Sequence, residues 1–596
     1  MTRSEAQATT NYTLSTGQKP QQSAAIIPAL KRLAPLLADE KRLVAAAFFG
    51  MILTNGSSLF GPVIISHTVD TYIQNRNFNG VLMSAAILLA VYIVGGIAYY
   101  YQTLAMGTVG RTVLFKLRNT LFTKIQDLPL AFFNQNKAGD LISRINNDTD
   151  KLNQFFSQAL VQLAGNVFMM AGAAIFLLSL NIRLGGAALV PAIGVLILTQ
   201  LISAWVKSKN LKSLQSLGGM SADIQESMSN FKVIVAFNRL DYFRQKFDEA
   251  NERNFKASVS SGLANGVFMP VYGLAFNLAQ LIVLSYGIYL ITAGQMTVGL
   301  LIGFLLYVNS FYMPLRQVAM LWSSFQLALA ALDRISDVLA LESNMPVLPA
   351  SSEKQRSPGI LQFENVHFTY PGGQEVLRGS TFTLEPGKTY ALVGPTGGGK
   401  TTTASLMARL YDPTGGQVLL DGKDIRSYKP DERTKKIGFI LQEPFLFTGT
   451  IRDNVLYGNE QYRHYSDDEL IALLNQRNVG TLLSRFEQGL QTKVLAVGDA
   501  ISLGQKQIIA FMRAVLRDPQ ILILDEATAN IDTVTEQQLE QILDKLPSST
   551  TKVIIAHRLN TIANADEIFF INSGEIIPAG SMEHALDMLL HGKRVS

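Results

Sequence analysis

Gly394-Pro395-Thr396-Gly397-Gly398-Gly399-Lys400-Thr401-Thr402 is the stretch from which the fold can be predicted, and it follows the apolar run Tyr390-Ala-Leu-Val393. It fits G-x-x-x-x-G-K-[ST], a phosphate-binding loop. The glycines let backbone N–H groups curl around a phosphate because no Cβ stands in the way. Lys400 is expected to reach the terminal phosphates, and the Thr401 hydroxyl to face Mg²⁺. A helix that begins here directs the positive end of its dipole at the anion. The stretch therefore predicts an α/β nucleotide-binding domain.

Acidic and amide side chains farther along the chain are expected to complete the site. The apolar run Ile521-Leu-Ile-Leu predicts a buried strand that ends in Asp525 and Glu526. Asp525 suits the second shell of Mg²⁺, and Glu526 would polarise the water that attacks the γ-phosphate. Gln442, in Ile440-Leu-Gln-Glu-Pro-Phe445, is uncharged and able to reach both metal and water. The plain structural alternative is a strand that merely meets a turn at two acids.

Two ring-bearing side chains are candidates for further nucleotide contacts. His557 follows the apolar run Val553-Ile-Ile-Ala556 and comes after Glu526 in chain order, where a γ-phosphate sensor is expected. Tyr370, in Phe368-Thr-Tyr-Pro371, precedes the phosphate loop and is placed to stack on adenine. A packed or capping histidine and a core tyrosine are the structural alternatives at these positions.

The composition indicates a membrane protein with a soluble part. The length of 596 residues suggests more than one domain. Charged residues make up 16% of the chain, against roughly 25% in soluble proteins, and the deficit is confined to the first half. The absence of cysteine excludes disulfides, thiol chemistry and Cys-ligated metals. The net charge of +5 comes from Lys and Arg in loops beside apolar stretches, so no nucleic-acid partner is expected.

The first half contains five long stretches without Asp, Glu, Lys or Arg, and the last of them is long enough for two spans. These stretches are 43–69, 77–110, 152–182, 184–206 and 257–315. A membrane span needs about 20 apolar residues, so the sequence predicts six spans, the last two joined by a turn near Ala293–Gly299. Their expected bounds are about 43–67, 80–105, 155–180, 184–206, 262–292 and 298–325.

The distribution of Lys and Arg predicts the orientation of the spans. Seven of these residues lie between Arg111 and Lys151 and nine between Lys207 and Lys256, whereas the intervening loops hold only Arg76 and Arg183. By the positive-inside rule, the two basic segments and both termini are cytoplasmic. These segments have helical periodicity, so the spans are expected to continue as helices well into the cytosol. We expect a multi-pass protein of a bacterial cytoplasmic (inner) membrane.

The chain is expected to comprise four regions. Residues 1–25 are polar, lack the apolar core of a signal peptide and predict a disordered tail. An all-α transmembrane domain follows at 26–342. A Pro/Ser-rich linker occupies 343–358, and the α/β P-loop domain occupies 359–596.

Six spans fused to this nucleotide domain resemble a half-transporter of the ATP-binding-cassette exporter type (type IV, multidrug- or lipid-exporter-like). The resemblance extends to the signature region Ile501-Ser-Leu-Gly-Gln-Lys-Gln507, to Leu524-Asp-Glu-Ala-Thr528 and to the loop at Asp532. In the first half, Phe132-Phe133 followed by Gly139-Asp-Leu-Ile-Ser-Arg144 and Asp148 is similar to the first cytoplasmic loop of these exporters.

The resemblance implies a head-to-tail dimer that binds ATP and Mg²⁺. Each ATP would lie between one chain's phosphate loop and the other chain's signature motif, here Ser502, Leu503, Gly504 and Gln505. Short coupling helices near Phe132–Gly139 and Phe231–Phe237 would pass dimer closure to the spans. Membrane lipids and a small amphipathic substrate would be the other partners.

The signature region departs from the family pattern at two places. Leu503 stands where the family has the first glycine of Leu-Ser-Gly-Gly-Gln, and leucine hinders close approach of the backbone to the γ-phosphate. The segment Val497-Gly-Asp-Ala-Ile501 is shorter than the usual lead-in. In a homodimer both ATP sites would carry the change at Leu503, so a heterodimer with an orthodox partner is favoured over a homodimer that tolerates it.

Three functions are compatible with these motifs. The leading hypothesis is an ATP-driven exporter of amphipathic or apolar compounds, of the drug, lipid or lipopeptide class. An importer of the same fold, of the siderophore type, is the first alternative. A nucleotide-gated channel or regulator is the second, and Glu526 and His557 argue against it because a gate needs no hydrolytic pair.

Arg316 is a candidate residue of the substrate cavity. It follows Pro314 in the sixth span, eighteen residues after Val298, and about 1.5 Å per residue puts it roughly 27 Å deep. The hydrocarbon core is about 30 Å thick, so Arg316 is expected near the inner boundary. It either extends to the headgroups or faces an inward-open cavity and attracts anionic or polar groups of a substrate.

Overall fold

The protein consists of two compact units in the computed structural model. The structure describes residues 11–14, 34–349, 359–495, 501–525, 533–555, 564–580 and 582–591. One unit comprises 15–124 and 139–339, and we call it the membrane unit. The other comprises 1–14, 125–138 and 340–596, and we call it the nucleotide unit. Residues 125–138, which lie in the predicted first cytoplasmic loop, therefore belong to the same unit as the C-terminal residues 340–596.

The first half of the chain is helical, as predicted. Its α-helices, in chain order, are α1 (Lys41–Thr68), α2 (Phe78–Gln126), α3 (Leu130–Gln135), α4 (Ala138–Ser143), α5 (Thr149–Gln154), α6 (Leu160–Leu180), α7 (Ile182–Ser229), α8 (Phe231–Ala236), α9 (Leu240–Gly266), α10 (Phe268–Thr292) and α11 (Val298–Leu339). A 3₁₀ turn at Ala34–Glu40 precedes α1, and π-helical turns at Val69–Ile73, Arg144–Asp148 and Phe155–Ala159 extend or connect its neighbours.

Within the described residues, six helical segments are long and apolar enough to cross a membrane, which confirms the predicted number of spans. They are 39 to 53 residues long. The 49 residues of α2 measure about 74 Å at about 1.5 Å per residue, against a hydrocarbon core of about 30 Å. The spans therefore continue as helices far beyond the membrane, as the sequence predicts.

The sixth span is the central helix of the membrane unit. Half of the residues in its most apolar 18-residue stretch are buried, against 17 to 22% in the other five spans. The exposed apolar side chains of those five spans are suited to contact with lipid. The Tyr307 hydroxyl donates to the Leu59 carbonyl at 2.7 Å, and the Tyr312 hydroxyl donates to the Ala188 carbonyl at 2.9 Å. These hydrogen bonds tie α11 to α1 and α7 in a medium that offers no water to a buried hydroxyl.

A buried ionic cluster joins the start of the third span to the last turns of α11. Arg144 and Asp148 are fully buried. Arg144 Nε lies 3.0 Å from Asp140 Oδ2, and Arg334 lies 2.7 Å from Asp140 Oδ1 and 3.1 Å from Asp148 Oδ2. Arg144 also donates to the Arg334 carbonyl at 2.6 Å. Lys151 Nζ also lies 3.0 Å from Asp148 Oδ1, so each buried charge of the cluster has an opposite charge beside it, which burial of a charge requires.

The nucleotide unit is an α/β domain, as predicted. Its described strands are β1 (Leu361–Thr369), β2 (Glu375–Leu384), β3 (Thr389–Val393), β4 (Gly415–Leu420), β5 (Lys423–Asp424), β6 (Ile437–Ile440), β7 (Gly449–Thr450), β8 (Lys493–Val494), β9 (Ile521–Asp525), β10 (Thr551–Ile555), β11 (Glu567–Asn572) and β12 (Glu575–Pro578). Its longer helices are α12 (Lys400–Met407), α13 (Pro430–Lys436), α14 (Ile451–Leu456), α15 (Asp467–Gln476), α16 (Leu503–Leu516), α17 (Thr533–Asp544) and α18 (Met582–His591).

Parallel pairing brings the ends of five strands to one edge of the main sheet. The strand order of this sheet is β12-β11-β3-β10-β9-β6, and β11, β3, β10, β9 and β6 pair in parallel. All five residues of β9 are buried, which explains why its sequence is an uninterrupted apolar run rather than an alternating one. The loops that follow these strands therefore lie together at the carboxyl edge, where α/β sheets bind ligands.

Part of the predicted tail and part of the predicted linker have defined positions. Within the predicted tail 1–25 the structure describes Asn11–Leu14, and Tyr12 is buried. Arg409 donates to the Pro346 carbonyl at 2.8 Å, and the Leu348 N–H donates to the Arg426 carbonyl at 2.9 Å. The sequence gives no sign of either attachment, because each depends on partners far away in the chain.

Candidate nucleotide-binding site

The loop between β3 and α12 has the conformation that its glycines permit. Gly394, Gly397 and Gly399 have φ angles of 147°, 80° and 117°, a region that side chains other than hydrogen rarely allow. A Cβ on Gly394 would collide with the Ile571 carbonyl, and one on Gly398 would lie 2.6 Å from the same oxygen. Backbone from β11 thus presses on the loop and fixes its curvature, so glycine is needed at both positions.

Lys400 and Thr402 stand on the first turn of α12. Lys400 is buried, and its Nζ donates to the carbonyl oxygens of Gly394 and Pro395 at 2.9 and 3.1 Å. The ammonium group therefore lies over the loop, where it can meet a terminal phosphate together with the N–H groups of the helix start. Pro395 and Thr396 complete the turn.

Thr401 and Asp525 come together from α12 and from the end of β9. The Thr401 hydroxyl lies 3.5 Å from Asp525 Oδ1, and Asp525 is buried. A hydroxyl and a carboxylate are the hard oxygen groups that Mg²⁺ prefers, and Mg²⁺ is held by few protein groups, water and phosphate. In the described part of the chain there is no cluster of three His, Asp or Glu side chains. The pair therefore fits Mg²⁺ that is bound jointly with a nucleotide.

The remaining predicted catalytic residues follow strands of the same edge. Gln442 comes two residues after β6, its side chain is exposed, and Gln507 of α16 approaches its carbonyl at 3.5 Å. Glu526 directly follows β9 and lies outside the described residues, as do Asp532 and His557. In the sequence, His557 is two residues beyond the end of β10.

Tyr370 lies beside the phosphate loop. Its hydroxyl is 3.0 Å from the Thr402 hydroxyl, and its ring packs edge-on against Phe368 and Tyr411 with centroids 4.8 and 5.2 Å apart. This position agrees with a role in nucleotide binding. Tyr411 is a neighbour that the sequence analysis did not single out. Burial raises the pKa of Tyr411, and its hydroxyl accepts a 2.6 Å hydrogen bond from Asn134.

The signature residues form the start of α16. Ser502 is the N-cap, and it exchanges hydrogen bonds with Gln505: the Gln505 N–H donates to Ser502 Oγ at 3.2 Å, and the Ser502 N–H donates to Gln505 Oε1 at 2.9 Å. Leu503 and Gly504 are the first two helical residues and are half-buried, whereas Ser502 is exposed. This capping box fixes the helix start at Ser502. Residues 496–500, with most of the shortened lead-in, lie outside the described residues.

These features define an ATPase domain of the phosphate-loop class attached to six membrane helices. The family model of the ABC transporter transmembrane region matches residues 44–315, and a second family model, described as ABC transporter, matches residues 377–529. The chain belongs to the ABC transporter family, and its sequence and fold are those of an exporter half-transporter. It is a multi-pass membrane protein that hydrolyses ATP and couples hydrolysis to transport.

Several relatives are similar to this chain over most of their length. An uncharacterized ABC transporter ATP-binding protein of Bacillus subtilis is 32% identical over 94% of this chain and 92% of its own. A fatty acid ABC transporter ATP-binding/permease protein of Mycobacterium tuberculosis is 32% identical over 85% and 80%. A multidrug resistance ABC transporter ATP-binding and permease protein of Lactococcus lactis is 30% identical over 83% of each chain.

Proposed function

We propose that this chain is one half of an exporter that moves amphipathic or apolar compounds across the membrane by alternating access. The observation that carries the proposal is the fusion of six long spans to a complete phosphate loop in one chain. Relatives of the same architecture include one named for multidrug resistance and one named for fatty acids, and both names point to lipid-soluble cargo.

Each residue of the nucleotide site has a role in this proposal. Lys400 and the backbone N–H groups of the loop hold the terminal phosphates. Thr401 would bind Mg²⁺ and Asp525 would lie in its second shell, and the ion would neutralise charge on the terminal phosphates. Glu526 orients and polarises the attacking water, and Gln442 is placed to contact this water and the metal side of the site.

His557 and Tyr370 contact opposite ends of the nucleotide. His557 donates to the γ-phosphate, which makes it a sensor of whether that phosphate is present. Tyr370 stacks on adenine from a position that is already fixed by the Thr402 hydroxyl. Asp532 lies in the loop that follows Glu526 and faces the second chain.

The ATPase acts as a dimer. Members of this family work as dimers, and two exposed features of this chain suit a second chain. Ser502 is exposed at the start of the 14-residue helix α16, where N–H groups of the first turn can meet a phosphate. The short helix α8 exposes Phe231, Val233 and Val235, and Phe237 directly follows it. Exposed apolar side chains on such a helix are typical of a surface that packs against another protein.

We favour a heterodimer because of Leu503. A partner with an orthodox Ser-Gly-Gly signature would complete the site built on Lys400 and Glu526. Leu503 would then face the partner's phosphate loop and form a second site that binds ATP and hydrolyses it slowly. The alternative is a homodimer that tolerates Leu503, in which Ser502 and the N–H of Gly504 are sufficient to bind the γ-phosphate.

The distribution of basic residues supports the proposed orientation. The basic segments at Arg111–Lys151 and Lys207–Lys256 favour a cytoplasmic location of both termini and the nucleotide unit, and we assign the protein to the bacterial cytoplasmic (inner) membrane. ATP-dependent uptake of a compound into inside-out vesicles tests the proposed direction. ATP-dependent uptake into right-side-out vesicles loaded with ATP would instead identify an importer.

A panel of amphipathic compounds tests driven transport. The protein is reconstituted in lipid nanodiscs with any chain that co-purifies, and ATP turnover is measured with each compound. Stimulation of turnover by a subset of compounds supports a pump. Turnover that no compound changes, combined with ATP-dependent ion conductance that persists without hydrolysis, would support a nucleotide-gated channel.

Arg316 is proposed as a residue of the substrate cavity. It lies in α11 two residues after Pro314, is half-buried, and its Nε has no hydrogen-bond partner among the residues that the structure describes. An arginine in this position can attract anionic or polar groups of a substrate. Arg316→Ala is expected to weaken stimulation of turnover by anionic compounds and to spare stimulation by cationic ones. Unchanged stimulation and transport for every compound would show that the side chain only reaches the headgroups.

A further inference from the structure

The N-terminal segment Asn11–Leu14 is bound to the first cytoplasmic helix, α3. Tyr12 is 1% exposed, and its ring packs edge-on against Phe132 with centroids 6.4 Å apart. The Tyr12 N–H donates to Gln135 Oε1 at 2.7 Å. The Asn136 amide donates to the Tyr12 carbonyl at 2.9 Å. The segment therefore covers the C-terminal half of α3 with both side-chain and backbone contacts.

The hydroxyl of the same tyrosine is bound to the linker that follows α11. It donates to the Glu342 carbonyl at 3.0 Å and accepts from the Asn344 N–H at 2.8 Å. One donor and one acceptor are thus both used by backbone groups of the linker. Tyr12 alone joins three parts of the chain, the N-terminal segment, α3 and the linker.

Helix α3 is also bound to the nucleotide site. The Asn134 amide donates to the Tyr411 hydroxyl at 2.6 Å. Tyr411 packs edge-on against Tyr370 with centroids 5.2 Å apart, and the Tyr370 hydroxyl is 3.0 Å from that of Thr402. A continuous set of contacts therefore leads from Tyr12 through α3 to the phosphate loop, entirely within the nucleotide unit.

The short helix α3 depends on these contacts for its position. It has six residues, and its N-cap, Pro129, makes no side-chain cap. An isolated helix of this length is not stable in water, so tertiary packing must hold it. In sequence, α3 lies between α2 and α4, which lead into the second and third spans. Helix α3 is therefore connected by short chain segments to both of those spans.

We propose that Tyr12 is a positioning residue for energy coupling, because it ties the linker to α3 and so keeps α3 in contact with Tyr411. In this proposal the contacts of Tyr12 persist through the transport cycle. A conformational change at the phosphate loop then moves α3 and the spans connected to it, and is not absorbed by a flexible loop. The inference extends the ATP-coupled transport of this family to a segment outside both domains that the family models match.

Hydrogen–deuterium exchange of the full-length protein in nanodiscs tests the proposal. It is compared without nucleotide and after trapping with ATP, Mg²⁺ and vanadate. In Tyr12→Ala, amides of Leu130–Gln135 are expected to exchange at least tenfold faster than in the wild type. The change in amide exchange that nucleotide trapping causes in α12 should persist in this variant. The corresponding change in the spans should be at least fivefold smaller than in the wild type. Tyr12→Phe, which keeps the ring and loses the linker contacts, should lie between these results.

Two controls separate positioning from general instability. Asn11→Ala changes an exposed neighbour whose side-chain hydrogen bonds, at 3.0 and 2.7 Å, stay with Thr13 in the same segment, and it should respond as the wild type does. Exchange in α15, which makes none of these contacts, should be the same in all variants. A rise in α15 that matches the rise in α3 would mean that Tyr12→Ala loosens the whole domain, and the proposal would be wrong.

A reversible cross-link provides the matched rescue. The chain has no cysteine, so Thr13→Cys and Gln135→Cys can be joined specifically by a short bifunctional methanethiosulfonate. The Oγ1 of Thr13 lies 3.5 Å from Oε1 of Gln135. In the Tyr12→Ala background, the cross-link should restore the response of the spans, and dithiothreitol should abolish it again in the same sample. Spans that respond fully in Tyr12→Ala, or turnover that the cross-link stops in the wild-type background, would overturn the proposal.

Discussion

At the residue scale, the strands of the main sheet bring specific groups into contact with the phosphate loop. The Ile571 carbonyl presses on Gly394 and Gly398 from β11, and Asp525 reaches Thr401 from β9. A Cβ at either glycine would displace backbone rather than a flexible side chain. Substitution there should therefore change the loop itself, whereas substitution at Lys400 or Glu526 should change chemistry with the loop intact.

Glu526→Gln should separate ATP binding from hydrolysis. The amide keeps the size of the side chain and loses the charge that polarises water, and loss of a positioned general base costs about 10²- to 10⁴-fold in rate. ATP affinity should stay within about twofold, because a carboxylate that contacts water adds little to binding of the nucleotide. Turnover is measured by phosphate release and affinity by titration with a fluorescent ATP analogue.

Lys400→Ala is the comparison variant for that prediction. It should weaken the affinity for ATP itself, by about tenfold or more, since a charge-assisted contact contributes about 1.5–3 kcal/mol. Lys388→Ala, an exposed lysine paired with Glu385 at 2.7 Å, should change neither quantity. Turnover near that of the wild type in Glu526→Gln would remove Glu526 from its proposed role.

The phosphate loop could be predicted from sequence because its chemistry is local. Nine consecutive residues contain the glycines, the lysine and the hydroxyl, and the preceding apolar run marks the strand. Tyr411 could not be predicted in the same way. Its partner Asn134 lies 277 residues away, so no pattern near Tyr411 signals the contact.

At the element scale, the ionic cluster fixes the third span against the sixth. Arg334 pairs with Asp140 and Asp148, and Asp148 is fully buried. Removal of one partner from a buried ion pair costs about 3–5 kcal/mol when the other charge is left uncompensated. The cost of removing Arg334 lies below that range, because Asp148 keeps Lys151, Asp140 keeps Arg144, and the Arg334 side chain is 31% exposed.

Arg334→Met should lower the thermal unfolding temperature, with a loss of about 1.5–3 kcal/mol, because the buried Asp148 then keeps only the partly exposed Lys151 as its partner. Lys116→Ala is the control, since its pair with Asp39 is exposed at both ends and pairs of that kind contribute little to stability. Equal unfolding temperatures for Arg334→Met and Lys116→Ala would contradict the assignment of the cluster as stabilising.

The long helices were predictable, and their junctions were not. Runs without charge identify the spans because lipid excludes unpaired charges, and helical periodicity extends them into the cytosol. The π-helical turns at Arg144–Asp148 and Phe155–Ala159 connect α4 to α5 and α5 to α6. The residue pattern within these two short segments does not predict them. The same reason explains why Asn11–Leu14, polar and short, was predicted to be disordered.

At the scale of the whole molecule, the heterodimer proposal predicts that Leu503 determines which assembly is active. Expressed alone, the chain should be monomeric or nearly inactive, and a partner encoded in an adjacent reading frame should restore turnover. The expected physical reason is that leucine in the first turn of α16 would prevent close approach of its backbone to the γ-phosphate bound by the opposite chain. Mass photometry and phosphate release measure the two quantities.

Leu503→Gly is the matched variant for this prediction. It restores the usual signature and should raise the turnover of the chain expressed alone by at least tenfold if dimers form at all. Leu516→Ala, at the other end of the same helix, should not raise turnover. A purified homodimer of the unchanged chain with two equally active sites and strong stimulation by substrate would show that the heterodimer proposal is wrong.

The burial of Tyr12 has a consequence for biosynthesis. Its hydroxyl binds Glu342, which is 330 residues later in the chain, and at about 5–20 residues per second the ribosome needs roughly 15 to 65 s to make that interval. All six spans are synthesised before Glu342, so the N-terminal segment can close on the linker only after the membrane part has been made. Closure of this contact therefore marks a chain whose six spans have all been synthesised, and proteases that cut exposed N-terminal segments would distinguish such molecules from shorter, unfinished ones.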